Sequence, residues 1–119
     1  MTNTTNLINE LKQFSGTEQW YRNPLFPTCL YTDGVKYLAE QAGAYWLLDY
    51  IFSNQNLKEI KEQEFQVWII NVEDSKAIIK VEDGKDNLIK EFKISYTDFP
   101  LKELSLWFVN NTLLLPSEY

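Results

Sequence analysis

Residues 31–54 read YTDGVKYLAEQAGAYWLLDYIFSN, and this stretch decides the fold class. Val35, Leu38, Ala42, Tyr45, Leu48 and Phe52 recur at three- or four-residue steps, the period of a helix with one apolar face. Thr32 reads as the N-cap, and Asp33 sits in the first turn, where the helix dipole favours an anion. Gly43 interrupts the run. A mid-helix glycine costs about 1 kcal/mol relative to alanine, so a kink, a break or a close contact is expected there. From Ala44 to Phe52 the pattern is apolar nearly all round, which predicts burial on more than one side.

Downstream the period changes. Residues 57–64 form a charged connector. FQVWIINV (65–72), KAIIKVE (76–82), NLIKEFKIS (87–95), LSLWFV (104–109) and TLLL (112–115) read as strands separated by polar turns. Short turns between consecutive strands favour an antiparallel meander. Upstream, NLINELKQF (6–14) places Leu7, Leu11 and Phe14 at helical spacing, and residues 1–5 are expected to fray. Residues 15–31 contain Pro24 and Pro27 and show no clean period, yet they carry Trp20, Tyr21, Leu25, Phe26, Leu30 and Tyr31. They read as an ordered loop pinned to the core. The expected fold is α+β over one domain, 1–119, with N-terminal helices packed on a C-terminal antiparallel sheet of four to five strands.

Composition bounds the function. The 119 residues hold 11 basic and 17 acidic side chains, a formal charge of −6, with no histidine and one cysteine. No internal disulfide can form, and histidine-based catalysis and His- or Cys-rich metal sites are excluded. A reducing, cytoplasmic setting is the simplest reading of an unpaired Cys29. Direct nucleic-acid binding is not expected of so acidic a chain. The longest apolar window, Ala44–Phe52, is too short to span a bilayer, and the N-terminus lacks the pattern of a secretory signal. No phosphate loop, dinucleotide fingerprint or cofactor motif occurs. Asp83–Asp86 lacks the ligand pattern of a calcium loop, so no metal is expected there. No catalytic residue is nominated.

Three sets of residues are candidates for a binding site. Asp49 lies in AYWLLDYIF, where a carboxylate is paired, exposed on a narrow stripe, or shifted in pKa. The lone arginine, Arg22, offers a planar fork to carboxylates, and it is expected to bridge the loop to Asp33 or Asp49. Trp20, Tyr21, Tyr45 and Trp46 belong to an aromatic set suited to a pocket or to interface anchors; ordinary core packing is the competing explanation. The favoured function is a non-enzymatic binding or protein-interaction module using the 18–34 loop and the 33–52 helix. A homodimer through that surface would bury excess aromatics. The alternative is a small-molecule-binding protein or small enzyme with Asp49 or Asp33 and Arg22 in an aromatic pocket. A third reading, an acidic nucleic-acid mimic, is opposed by eight lysines interspersed through the second half.

The strings FSGTEQWYRN (14–23), YTDGVKYLAEQAGAYWLLDYI (31–51), FQVW (65–68), DFPL (98–101) and LLLPSEY (113–119) resemble a family of small uncharacterised bacterial proteins, found in cyanobacteria and others and sometimes on mobile elements. The resemblance spans nearly the whole chain and implies a single-domain cytoplasmic protein, with no activity or catalytic residue to carry over. Other members often carry histidine after the WYR string. Asn23 stands there in this chain, which opposes acid–base chemistry at that spot. If the PSEY ending is ordered, Tyr119 is expected to dock on the body.

Overall fold

The computed structural model describes residues 4–119, with side chains from Asn6 onward. For residues 1–3, the expected fraying lies outside the described residues. In chain order the elements are α1 (Thr4–Leu11), β1 (Trp20–Arg22), β2 (Leu30–Thr32), α2 (Asp33–Ala42), α3 (Tyr45–Ser53), a tight turn (Asn54–Asn56) and α4 (Lys58–Lys61). The strands β3 (Phe65–Glu73), β4 (Lys76–Glu82), β5 (Leu88–Ile94), β6 (Glu103–Val109) and β7 (Thr112–Leu114) follow, and a turn at Pro116–Glu118 ends the chain. The class is α+β.

Local chemistry explains the boundaries. Thr32 is extended at φ −90°, ψ 174°, and its Oγ1 accepts from the Val35 N–H at 3.4 Å, which starts α2. Gly43 adopts φ 62°, and its N–H donates back to the Ala39 carbonyl, so the single helix expected over 33–54 breaks into two. Asp74 and Ser75 (φ 52° and 60°) turn β3 into β4, and Asn110 and Asn111 (φ 52° and 58°) turn β6 into β7. Two left-handed residues make the tight turn whose twist matches a hairpin. The Asp83 carboxylate accepts from the Lys85 and Asn87 N–H groups at 2.7 and 3.2 Å. Those bonds explain Asp83–Asp86 as turn-forming chemistry.

The expected sheet is corrected in two respects. Seven strands join it among the described residues, in the order β1-β2-β7-β6-β3-β4-β5, and it is mixed. β3, β4 and β5 form the antiparallel meander, and β6 returns along the opposite side of β3. β2 runs parallel to β7, with Leu30 opposite Thr112 and Tyr31 opposite Leu113. Residues 15–31 therefore contribute two strands rather than a loop alone. Each has three residues, too few to show alternation, and the parallel pair joins segments about 80 positions apart.

Helices cover one face of the sheet. Trp68, Ile70, Ile79, Val81, Leu106 and Phe108 point into the same buried cluster as Leu38, Leu47, Leu48 and Ile51. Gln66, also buried, is fully engaged there: Nε2 donates to Gln55 Oε1 at 2.9 Å and the Ile60 carbonyl at 3.0 Å, while Oε1 accepts from Trp68 Nε1 at 2.8 Å. A buried amide with all its bonds made fixes the indole without the cost of an orphan polar group.

Candidate functional site

The seam between residues 15–32 and the helices is built from backbone amides seeking acceptors. Asp33 opens α2, and its Oδ2 accepts from the N–H groups of Glu18 and Gln19 at 2.9 and 3.3 Å. Oδ1 accepts from the Tyr21 hydroxyl at 2.9 Å. The Asp33 N–H in turn donates to Thr17 Oγ1 at 2.9 Å. The Glu18 N–H is the largest of several influences that hold the Asp33 carboxyl below the usual carboxylate range, followed by the Tyr21 hydroxyl. The same Asp33 bond pushes the Tyr21 phenol up. Tyr21 stacks on Tyr31 at 5.6 Å, and the Lys36 ammonium lies 5.3 Å from the Tyr21 ring centre.

Arg22 does not make the expected bridge. Its Nη1 donates to the Pro27 carbonyl at 2.6 Å, and it pairs with neither Asp33 nor Asp49. Antiparallel alternation is the reason. Tyr21 faces the helices, so Arg22, the next residue on β1, projects from the opposite face of the sheet. The tie to Asp49 comes instead from Asn23, which is buried. Asn23 Nδ2 donates to Asp49 Oδ1 at 2.9 Å, while its Oδ1 accepts from the Leu25 and Phe26 N–H groups at 2.8 and 3.0 Å. One amide thus closes the proline-containing turn and fastens it to α3.

The aromatic set divides. Tyr45 is exposed, and the Tyr31 phenol is pushed up chiefly by burial and next by neighbouring Tyr45. Trp46 lies half-buried, edge-on to Phe99 at 6.5 Å. Trp20 is 57% exposed and projects from the same face of β1 as Arg22. The structure thus unites Tyr21 with Asp33, and places Tyr45 beside them through Tyr31. It separates Trp20, Arg22 and Trp46 from that group. The larger clefts lie elsewhere, and none of the seven nominated residues lines them.

Sequence reasoning missed Glu118 at this seam. Its Oε1 accepts from Thr32 Oγ1 at 2.6 Å and from the Leu115 N–H at 2.9 Å, and its Oε2 accepts from the Gly34 N–H at 3.1 Å. A carboxylate thus sits at the amide-rich start of α2, where the helix dipole favours it. Gly34 is the signal that was available: glycine is a poor choice for a first helical turn unless something must come close. A Cβ there would lie 2.6 Å from Leu115 Cδ1 and 2.7 Å from Glu118 Oε1. Tyr119 then docks as expected, with ring centres 5.3 Å from Trp107 and 5.9 Å from Phe65.

Among the described residues no group of three or more His, Cys, Asp or Glu side chains is placed to hold a metal ion. No helix among them is long and apolar enough to cross a membrane.

Residues 5–119 match the model of a family described as a family of unknown function, DUF6876, and the chain belongs to that family. No curated protein and no solved structure matches it.

Proposed function

We propose that this family member is a non-enzymatic protein-interaction module, and that its working surface is the free edge of β1 with the side chains on either side of it. The observation that carries this reading is the position of β1 at the end of the sheet order. The Asn23 N–H bonds the Cys29 carbonyl on β2's side at 3.2 Å. Alternation then turns the Tyr21 backbone groups toward β2 and those of Trp20 and Arg22 outward. An outward row of N–H and C=O groups is a template for one more strand.

The flanking chemistry suits a protein partner. Trp20 and Arg22 stand on one face of the edge and Tyr21 on the other, with exposed Tyr45 beyond it. Trp, Tyr and Arg are the residue types that dominate interface energetics. An enzyme is less well supported. Asp33 already accepts three hydrogen bonds and its proton affinity is lowered, which makes it a weak base. The partner is an extended protein segment. A net charge of −6 argues against nucleic acid, and the unpaired Cys29 suits a reducing, cytoplasmic setting.

The test is a photo-crosslinking residue placed at position 20, with position 96 as control, since Tyr96 is also exposed. In cells the first should trap a discrete protein and the second should not. Arg22→Pro removes an outward N–H and should abolish the product. Equal labelling from both positions, or a product untouched by Arg22→Pro in a folded variant, would refute the proposal. Self-crosslinking of the purified chain at position 20, lost in Trp20→Ala, would identify the partner as a second copy.

A further inference from the structure

Beside the turn that joins β1 to β2, a cleft of about 720 Å³ opens at the end of the sheet on its helix-covered side. Its walls are the 25–29 turn, the 53–56 turn after α3, the 61–64 segment after α4 and the Asn110–Asn111 hairpin turn. Buried Cys29, Phe52 and Phe108 form its floor, with half-buried Phe26 at one side. Burial pushes the Cys29 thiol up, so it remains an uncharged part of that floor. The volume is in the range of small-molecule sites.

The polar lining is dominated by carboxamides. Gln55 and Gln66 are bonded to each other at the back, each donating to the other's Oε1 at 2.9 Å. The side chains of Asn56, Gln63, Asn110 and Asn111 line the same cleft, Gln63 half-buried and the others exposed, and make no hydrogen bond among the described residues. The left-handed hairpin turn accounts for asparagine at 110 and 111, whereas no backbone requirement accounts for Asn56 or Gln63. Lys61 and Glu64 are the charged side chains of the lining, and they cancel.

We infer that this cleft is a binding site for an uncharged nucleobase or nucleoside. A carboxamide presents one donor and one acceptor in a plane, which is the complement of a base edge carrying the same pair. Half-buried Phe26, at the side of the cleft, is the lining aromatic with exposed surface for a flat ring, and every base has a face that stacks. A cleft without net charge, in a chain of charge −6, gives a phosphate group nothing to pair with. None of the nominated edge residues lines the cleft, and Arg22 meets its wall only at the Pro27 carbonyl, so binding in the cleft is tested separately from the β1 edge.

The experiment is isothermal titration of the full chain with adenosine, guanosine, cytidine and uridine. Parallel arms use their 5′-monophosphates and methyl glucoside. At least one nucleoside should bind more tightly than its monophosphate and than the glucoside. Asn56→Ala and Gln63→Leu should each weaken it about three- to tenfold, the usual effect of one lost neutral hydrogen bond. Asn110→Asp keeps a residue that tolerates the left-handed turn but removes the amide donors, and it should weaken binding similarly. Ser117→Ala, outside the cleft, should leave affinity unchanged. Failure of every nucleoside at about 10 mM, binding of monophosphates or glucoside alone, or full affinity in the three amide variants would overturn the inference.

Discussion

Gly34→Ala tests the clasp between the C-terminus and the start of α2. Three hydrogen bonds to the Glu118 carboxylate depend on the space that Gly34 leaves. The added Cβ would lie 2.7 Å from Glu118 Oε1 and 2.8 Å from its Cδ, so the carboxylate must move out. Bonds to a charged acceptor contribute about 1.5–3 kcal/mol each when buried; for a half-exposed carboxylate about 1 kcal/mol each is reasonable, or about 3 kcal/mol in all. Alanine returns about 1 kcal/mol of helix propensity. Crowding against Leu115 Cδ1, 2.6 Å from the new Cβ, offsets that gain, so the net cost is about 3 kcal/mol, a fall in melting temperature of roughly 9–15 °C for a domain of this size. Glu118→Ala alone should cost about 3 kcal/mol. With Glu118 gone, the crowding against Leu115 and the propensity gain still nearly cancel, so the double variant should also sit near about 3 kcal/mol rather than about 6. Urea unfolding followed by tryptophan fluorescence measures all four corners of this cycle. Strict additivity would refute the clasp as the reason for Gly34.

Other consequences follow from the same seam. Asn23→Ala leaves the Leu25 and Phe26 N–H groups and Asp49 without their partner, and should cost about 2–3 kcal/mol in chemical unfolding. Arg22→Lys should change stability by less than about 0.5 kcal/mol, because an exposed side chain loses one bond to a carbonyl and no ion pair. The folded-state pKa of Asp33 lies below its ordinary value of 3.8, so its stabilisation is complete above that value and is lost as pH falls through the folded one. Acid unfolding of Asp33→Asn should therefore be less steep below about pH 4 than that of the wild type. Tyr21 is raised above 10.0, so its contribution is full below that pH and disappears as pH rises through the folded value. Tyr21→Phe should flatten the alkaline limb of the stability profile.

How far the sequence could be read depended on how local each signal was. β3 to β6 announced themselves through runs of β-branched and aromatic residues between turn-forming pairs such as Asp74–Ser75 and Asn110–Asn111. Gly43 marked the helix break at the right residue. β1 and β2 escaped because three-residue strands beside Pro24 and Pro27 carry no period, and a parallel partner such as β7 leaves no mark on either segment. For the site, the nomination of Asp33 and Tyr21 located a real junction, but as mutual partners rather than as ligands for Arg22. Asp49 took the first of the three outcomes open to a carboxylate among apolar residues, a partner, yet that partner is the neutral amide of Asn23. Alternation along β1 decides this: side chains one residue apart leave on opposite faces, so Tyr21 and Arg22 cannot serve the same acceptor.

The sequence strings at 14–23, 31–51 and 113–119 gain a physical meaning from this arrangement. Thr17, Glu18, Gln19 and Tyr21 come from the first string, Thr32, Asp33 and Gly34 from the second, and Glu118 from the last. They converge on the first turn of α2. That junction fixes β1 as the last strand of the sheet and leaves its outer edge open.

Native-state hydrogen exchange, read amide by amide across residues 17–24, tests this most directly. The N–H groups of Tyr21 and Asn23 face β2, and those of Glu18 and Gln19 meet Asp33, so all four should exchange slowly. Those of Trp20 and Arg22 should exchange at nearly the rate of free peptide. Rapid exchange throughout would mean that the segment is not held on the helices, and slow exchange at Trp20 and Arg22 would mean that the edge is already covered.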